Sequence, residues 1–201
     1  MKMMSALLSE VKWINASVLM SSLISCGTYS TIRSADTLNK GQIEGNLGLG
    51  VNQFGEGVPL ARASVGLTNR LEASAHFETY SALASLRYGL LKSKSSPIAL
   101  SLGVEGGTHV FLRGGLNDNL ENELIGVAFS IGKAWKWGDL YLSHKSFISG
   151  IGNSRNFYFS TNRLGSRLNV SDFFLIGFET GASIHHDIGV VETTGFIGFR
   201  N

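Results

Sequence analysis

From Gln42 to the end of the chain, apolar residues alternate with small or polar ones at a period of two, the spacing of β-strands and not of helices. In the first segment Ile43, Leu47, Leu49 and Val51 share one face, with Glu44, Asn46, Gly48 and Gly50 on the other. Past a Gly55-Glu56-Gly57 turn, Ala61, Ala63, Val65 and Leu67 alternate with Arg62, Ser64 and Gly66. A tight Thr68-Asn69-Arg70 connection leads to Leu71, Ala73, Ala75 and Phe77, opposed by Glu72, Ser74, His76 and Glu78. The fourth segment sets Ala82, Ala84, Leu86, Tyr88 and Leu90 against Ser85, Arg87 and Gly89, before a basic, serine-rich connection from Lys92 to Pro97. Ile98, Leu100, Leu102 and Val104 then face away from Ser101, Gly103 and Glu105, and a long loop is expected over about 111–122. Beyond it Ile125, Val127, Phe129 and Ile131 alternate with Gly126, Ala128, Ser130 and Gly132, and Trp135-Lys136-Trp137-Gly138 turns the chain. Leu140, Leu142, His144 and Ser146 form the next alternate set, followed by a weaker strand over 155–163 with Phe157 and Phe159. Phe174, Ile176, Phe178 and Ala182 oppose Gly177, Glu179, Gly181 and Ser183. After a His185-His186-Asp187 turn, Val191, Ile197 and Phe199 oppose Glu192, Thr194 and Gly198.

The two faces differ in a telling way. One is Leu, Ile, Val, Phe and Ala; the other is Gly and Ser with an occasional charge. A soluble sandwich would carry a dense charged face toward water, whereas a small-residue face suits the crowded inside of a narrow cylinder. This is the dyad pattern of a transmembrane barrel, apolar toward lipid and polar toward the lumen. Strands of roughly 9–13 residues suit a tilted crossing, and Tyr88, Trp135, Trp137 and Phe199 near strand ends suit interfacial girdles. The expected fold is all-β: an antiparallel up-and-down transmembrane β-barrel over 41–201 with about 10 strands, and 8 as the alternative. Outer loops are expected near 55–57, 79–81, 111–122, 149–154 and 185–187, and inner turns near 68–70, 92–96, 136–138 and 163–170. The inner turns so placed are basic (Arg70, Lys92, Lys94, Lys136, Arg163, Arg167), and the outer loops carry Glu56, Asp118, Glu121, Glu123 and Asp187.

Composition sharpens this picture. Charged residues make up 16% of 201, below the roughly 25% usual for soluble domains, and mean hydropathy is +0.12. The net charge of +2, with no Lys/Arg cluster, argues against nucleic acid as a partner. A single cysteine excludes an internal disulfide framework and a thiolate metal site. No P-loop, dinucleotide fingerprint or His-Glu-x-x-His is present, so no cofactor and no metal are expected.

The start of the chain has the layout of a secretory signal: Lys2 and Lys12, a mostly apolar run from Trp13, and small residues before Cys26. Leu23-Ile24-Ser25-Cys26 resembles a bacterial lipobox. The resemblance implies a signal peptide over 1–25, lipidation of the Cys26 thiol, acylation of the new amino terminus, and a lipidated tether over 26–40. Gly27, where Asp would signal inner-membrane retention, implies sorting to the outer membrane. Ala35-Asp36-Thr37-Leu38 followed by Gly41 resembles the lead-in of small outer-membrane β-barrel lipoproteins of double-membraned bacteria. That family implies a periplasmic N-terminus. It also implies contact with outer-membrane lipids, lipopolysaccharide, and the barrel-assembly and lipoprotein-sorting machinery.

Two sets of residues are candidates for chemistry. On the inward face Arg62 and Arg87 share the lumen with Glu44, Glu72, Glu78, Glu105, Glu179 and Glu192; buried charges of this kind must pair. The expected outcome is a polar plug with a structural or interaction role, and the alternative is a small porin-like channel for small solutes, favoured by the carboxylate excess. On the outward face, His144-Lys145-Ser146 resembles the His-x-Ser of the outer-membrane lipid A 3-O-deacylases. It implies a base at His144 and a nucleophile at Ser146 acting on an acyl ester. Phe147 stands where that family has Asn, and the next acids are Asp172 and Glu179. His185, His186 and Asp187 have metal-donor chemistry, but adjacent strand residues point to opposite sides, so a solvated turn is expected there.

Overall fold

The computed structural model describes residues 31–53, 55–78, 81–112, 119–149, 157–185 and 188–201. The proposed signal, Cys26, His186 and Asp187 lie outside them.

Ten antiparallel strands close into a barrel: β1 (Ile43–Asn52), β2 (Gly57–Gly66), β3 (Leu71–Glu78), β4 (Ser81–Leu91), β5 (Ala99–Leu112), β6 (Asn119–Trp135), β7 (Gly138–Ser149), β8 (Phe157–Asn169), β9 (Phe174–His185) and β10 (Ile188–Arg200). Each strand pairs with its sequence neighbours, and β1 pairs with β10 from Glu44↔Arg200 to Asn52↔Glu192. Closure leaves no free edge strand, so each strand is paired on both sides. The strand count is ten and not the alternative eight.

Two connections differ from the sequence reading. The stretch 163–170 is not an inner turn: β8 runs through Asn169, and the turn falls at 170–173. Arg163 and Arg167, read as basic turn residues, are instead strand residues facing inward and fully or almost fully buried. Likewise β5 extends to Leu112 and β6 starts at Asn119, so the ladder from Ala99↔Gly132 to Leu112↔Asn119 takes up half of the loop expected over 111–122.

Alternation fixes which side chains face which medium. Outward residues such as Leu47, Phe77, Val104, Val127 and Leu142 are half-exposed or more, Val127 at 59%. Inward residues are buried and crowded. Three aromatic rings sit against glycines on the next strand: Tyr141 against Gly165, Phe147 against Gly126 and Phe196 against Gly177. A Cβ at any of these glycines would collide with the ring, which is why the inward face is rich in glycine.

One end of the barrel is marked by aromatics. Trp135 and Trp137 stack at 5.3 Å across the β6–β7 turn, and Phe174 and Phe199 meet at 5.4 Å on β9 and β10. Tyr88 and Phe173 are exposed at the same end, where the short turns and both ends of the barrel domain gather.

Candidate functional site: a filled lumen and a polar array on the outer wall

The segment just before β1 runs inside the barrel. Thr31, Ile32, Arg33, Ser34, Ala35, Thr37 and Leu38 are all buried, although this stretch belongs to the 26–40 region read as a tether. At the turn end, the Leu38 amide donates to Glu72 Oε2 at 3.0 Å, and the Ser93 amide donates to the Asp36 carboxylate at 3.1 Å. Lys92 Nζ reaches Asn39 Oδ1 at 3.0 Å; partial burial there pulls its ammonium below the usual lysine range. Going back toward Thr31 the segment climbs to mid-barrel. The Thr31 amide donates to Glu179 Oε2 at 2.9 Å, its hydroxyl meets Ser143 Oγ at 2.5 Å, and its carbonyl accepts from Arg62 at 2.9 Å. Ile32 holds a φ of +36°, unfavourable for a β-branched residue. It is kept there by burial in a cluster with Leu60, Leu175 and Phe196.

The charged residues of the wall build on this segment in layers. Nearest the turns, Arg167 donates to Asp139 Oδ2 at 2.7 and 2.8 Å and to Glu44 Oε1 at 2.8 Å, joining β8 to β7 and, across the lumen, to β1. Arg87 pairs with Glu72 at 2.7 Å and donates to the carbonyls of Ser34 and Asp36. Higher up, Glu105 is shared by Arg33 and Lys145, each at 3.0 Å, and Tyr141 donates to Glu179 Oε1 at 2.5 Å. Toward the loop end Arg163 pairs with Glu192, and His76 Nε2 lies 3.1 Å from Glu78. The lumen toward the loop end is lined by an apolar cluster of Leu83, Leu124, Phe147 and Phe159, with the two phenylalanines stacked at 4.8 Å.

All eight lumen candidates (Glu44, Arg62, Glu72, Glu78, Arg87, Glu105, Glu179 and Glu192) are therefore buried inside the barrel. What the sequence reading lacked is the rest of the network: Arg33, Asp139, Lys145, Arg163 and Arg167. Among the described residues seven buried carboxylates face six buried Arg and Lys side chains, so the carboxylate excess that favoured a cation path is nearly cancelled. The overlooked signal was local: Asp139, Tyr141 and Lys145 alternate with the outward set of β7, and Arg163 and Arg167 flank Gly165 at period two, alternating with outward Leu164 and Leu168.

His144 and Ser146 lie on the outward face of β7, both half-buried. Ser146 Oγ is 2.8 Å from His144 Nε2, and His144 Nδ1 is 2.9 Å from Asn162 Oδ1 on β8. Asn162 is the residue directly opposite His144 in the β7–β8 ladder, and Ser160 is directly opposite Ser146. An Nδ1–H donated to the amide oxygen leaves the Nε2 lone pair free to accept the serine hydroxyl, the tautomer a general base requires. Phe147, at the position where the resemblance expects Asn, points the other way, into the apolar cluster.

No family model matches the chain, and no curated protein matches it. Solved structures similar to it include β-barrels. A de novo designed transmembrane β-barrel shares 10% identity over 82% of this chain and 98% of its own, with a TM-score of 0.37. The N-terminal β-barrel domain of Pseudomonas aeruginosa OprF shares 10% over 82% and 100%, with a TM-score of 0.33. Ail, the attachment invasion locus protein of Yersinia pestis, in complex with a heparin analogue, shares 12% over 80% and 95%, with a TM-score of 0.28.

Proposed function

We propose that the chain is an outer-membrane barrel that does not conduct, closed from within by its own residues 31–38 together with the apolar cluster of Leu83, Leu124, Phe147 and Phe159. The observation that carries this reading is the hydrogen-bonded burial of that segment, from the Leu38 amide on Glu72 to the Thr31 amide on Glu179. An apolar outer wall with an aromatic end and closed pairing fits a bilayer, the one setting in which such a surface is not a liability. Short turns gathered at the end where the barrel domain starts and finishes support a periplasmic turn end and an outward loop end. In planar bilayers the purified chain is expected to give no stepwise current while migrating as a heat-modifiable, closed barrel; a stable ohmic pore would overturn this reading.

The proposal includes the lipid at Cys26, supported by Leu23-Ile24-Ser25-Cys26 with Gly27 after it. Acyl chains there would add a second attachment to a domain that already inserts. Cells fed a labelled fatty acid are expected to label the wild-type chain and not Cys26→Ala; label retained in the variant would remove the anchor from the proposal.

A further inference from the structure

The barrel treats its cations in two ways. In the lumen Arg33, Arg87, Lys145, Arg163 and Arg167 each pair with a carboxylate. At the turn end Lys40, Arg70, Lys92, Lys94, Lys133 and Lys136 meet no carboxylate at ion-pair distance among the described residues. The carboxylates that reach water there are Asp172 and half-buried Asp36, which accepts from the Ser93 amide. At the loop end, Glu56 and Glu123 reach water and no described Lys or Arg does. Unpaired positive charge is therefore confined to one rim.

Three of these cations share one sector of it. The β6–β7 turn is Lys136-Trp137, and Asn169 of β8 holds it. The Asn169 amide donates to the Trp137 carbonyl at 2.9 Å, and its side chain donates to the Lys136 carbonyl at 3.0 Å. The Trp135 and Trp137 rings stack on this fixed hairpin. Lys133 continues the outward set of β6, opposite exposed Leu140, and its ammonium reaches the Ser96 carbonyl at 3.2 Å. The Ala134 amide donates to Ser93 Oγ at 2.9 Å, so the β4–β5 connection, with exposed Lys94, is drawn against the same strand end. Indoles settle at headgroup depth, apolar body in the hydrocarbon and N–H toward water. A lysine on a lipid-facing wall avoids hydrocarbon by carrying its ammonium to that same level. What the sector meets at that depth is lipid phosphate.

We propose that Lys94, Lys133 and Lys136, with Trp135 and Trp137, form a site for the headgroup of anionic glycerophospholipids in the turn-side leaflet. The site rests on the membrane-barrel reading and adds to it one sector and one lipid class. The three ammoniums take the phosphate charge, and the indole N–H groups donate to phosphate or ester oxygens. The acyl chains leave past Leu140 into the hydrocarbon. A zwitterionic lipid brings the same phosphate with a cation of its own, which three lysines repel. A lysine beside an anionic lipid surface raises affinity about fivefold.

The chain has three tryptophans, Trp13, Trp135 and Trp137, so a Trp13→Phe background makes indole emission report on this sector alone. The test refolds the full chain in that background into phosphatidylcholine vesicles. These contain small fractions of brominated phosphatidylglycerol, phosphatidylethanolamine or phosphatidylcholine, and quenching is read against mole fraction. Brominated phosphatidylglycerol is expected to quench at about a tenfold lower fraction than phosphatidylcholine, with phosphatidylethanolamine close to the latter. Lys94→Gln/Lys133→Gln/Lys136→Gln should bring the three lipids to parity. Lys40→Gln/Arg70→Gln, which removes two cations elsewhere on the rim, should keep the preference. Each variant is first checked for heat-modifiable migration. A wild type that does not fold into the vesicles overturns the barrel reading and the site with it. A folded wild type quenched equally by phosphatidylglycerol and either other lipid overturns the site alone. A triple variant that keeps the preference overturns it too, as does loss of the preference in Lys40→Gln/Arg70→Gln, which would mark a diffuse field of the whole rim.

Discussion

Deleting Thr31–Leu38 and truncating both Phe147 and Phe159 to alanine is expected to turn a silent barrel into a conducting one, while either change alone leaves it closed. The two barriers stand in series along the axis. The segment fills the turn-side half of the lumen, where its amides and carbonyls meet Glu72, Glu179, Arg62 and Arg87. The four-residue cluster of Leu83, Leu124, Phe147 and Phe159 closes the loop-side half with apolar side chains. Losing the segment frees polar groups that water can solvate, but a water column still ends at the phenylalanines, and an apolar constriction blocks ions by dewetting. Losing the ring pair opens the top onto a packed segment. Only the combination gives a continuous wet path. Planar-bilayer recording with all three variants checks this: stepwise current from the deletion alone would show that the apolar cluster is no barrier. A folded but silent combined variant would show that the remaining wall side chains suffice to seal the lumen.

Arg167→Ala is expected to cost about 3–5 kcal/mol of barrel stability, the range for removing one partner from a buried ion pair. Its guanidinium is the common partner of Asp139 and Glu44, two carboxylates held on different parts of the wall. Alanine leaves both with far less compensation in a site that stays narrow. The neighbouring Arg200 offers a control, because it approaches Glu44 at 3.5 Å and its side chain is 25% exposed. Arg200→Ala should cost under about 1 kcal/mol, because its contact with Glu44 is long and its own side chain reaches water. Urea unfolding from lipid vesicles measures the difference, and equal midpoints for the two variants would show that the Arg167 bridge contributes no more than a surface pair.

The strand pattern was legible because a period of two is written locally: Leu47 and Leu49 outward with Glu44 and Asn46 inward need no knowledge of the partner strand. The same rule placed the inward glutamates and Arg62 and Arg87. It fails at β8, where Arg163, Gly165 and Arg167 have the look of turn chemistry because small and basic residues there outnumber apolar ones. In fact they are the inward half of a strand whose outward half is Leu164 and Leu168. Two further features were out of reach for a different reason. Asn162 comes to His144 through the register of the β7–β8 ladder, and Thr31 comes to Glu179 across the full span of the barrel sequence. Neither contact leaves a local trace. Residues 31–38 read as polar and weakly anchored since their partners are charges scattered over β2, β3, β4, β5 and β9, and each partner on its own looks like one more lumen residue.

That arrangement constrains the order of assembly. Residues 31–38 continue directly into β1, and β1 is one side of the seam that closes against β10. The strand that seals the cylinder is therefore tied to its filling by a few residues around Asn39 to Gln42. A closed empty barrel would have to admit a polar chain past its own turns, against a lumen already collapsed on unpaired charges. An open sheet can instead curl around the segment while Arg62, Arg87 and Glu179 are still accessible. On this connectivity the β1–β10 seam is expected to zip last, around a template carried by the chain itself.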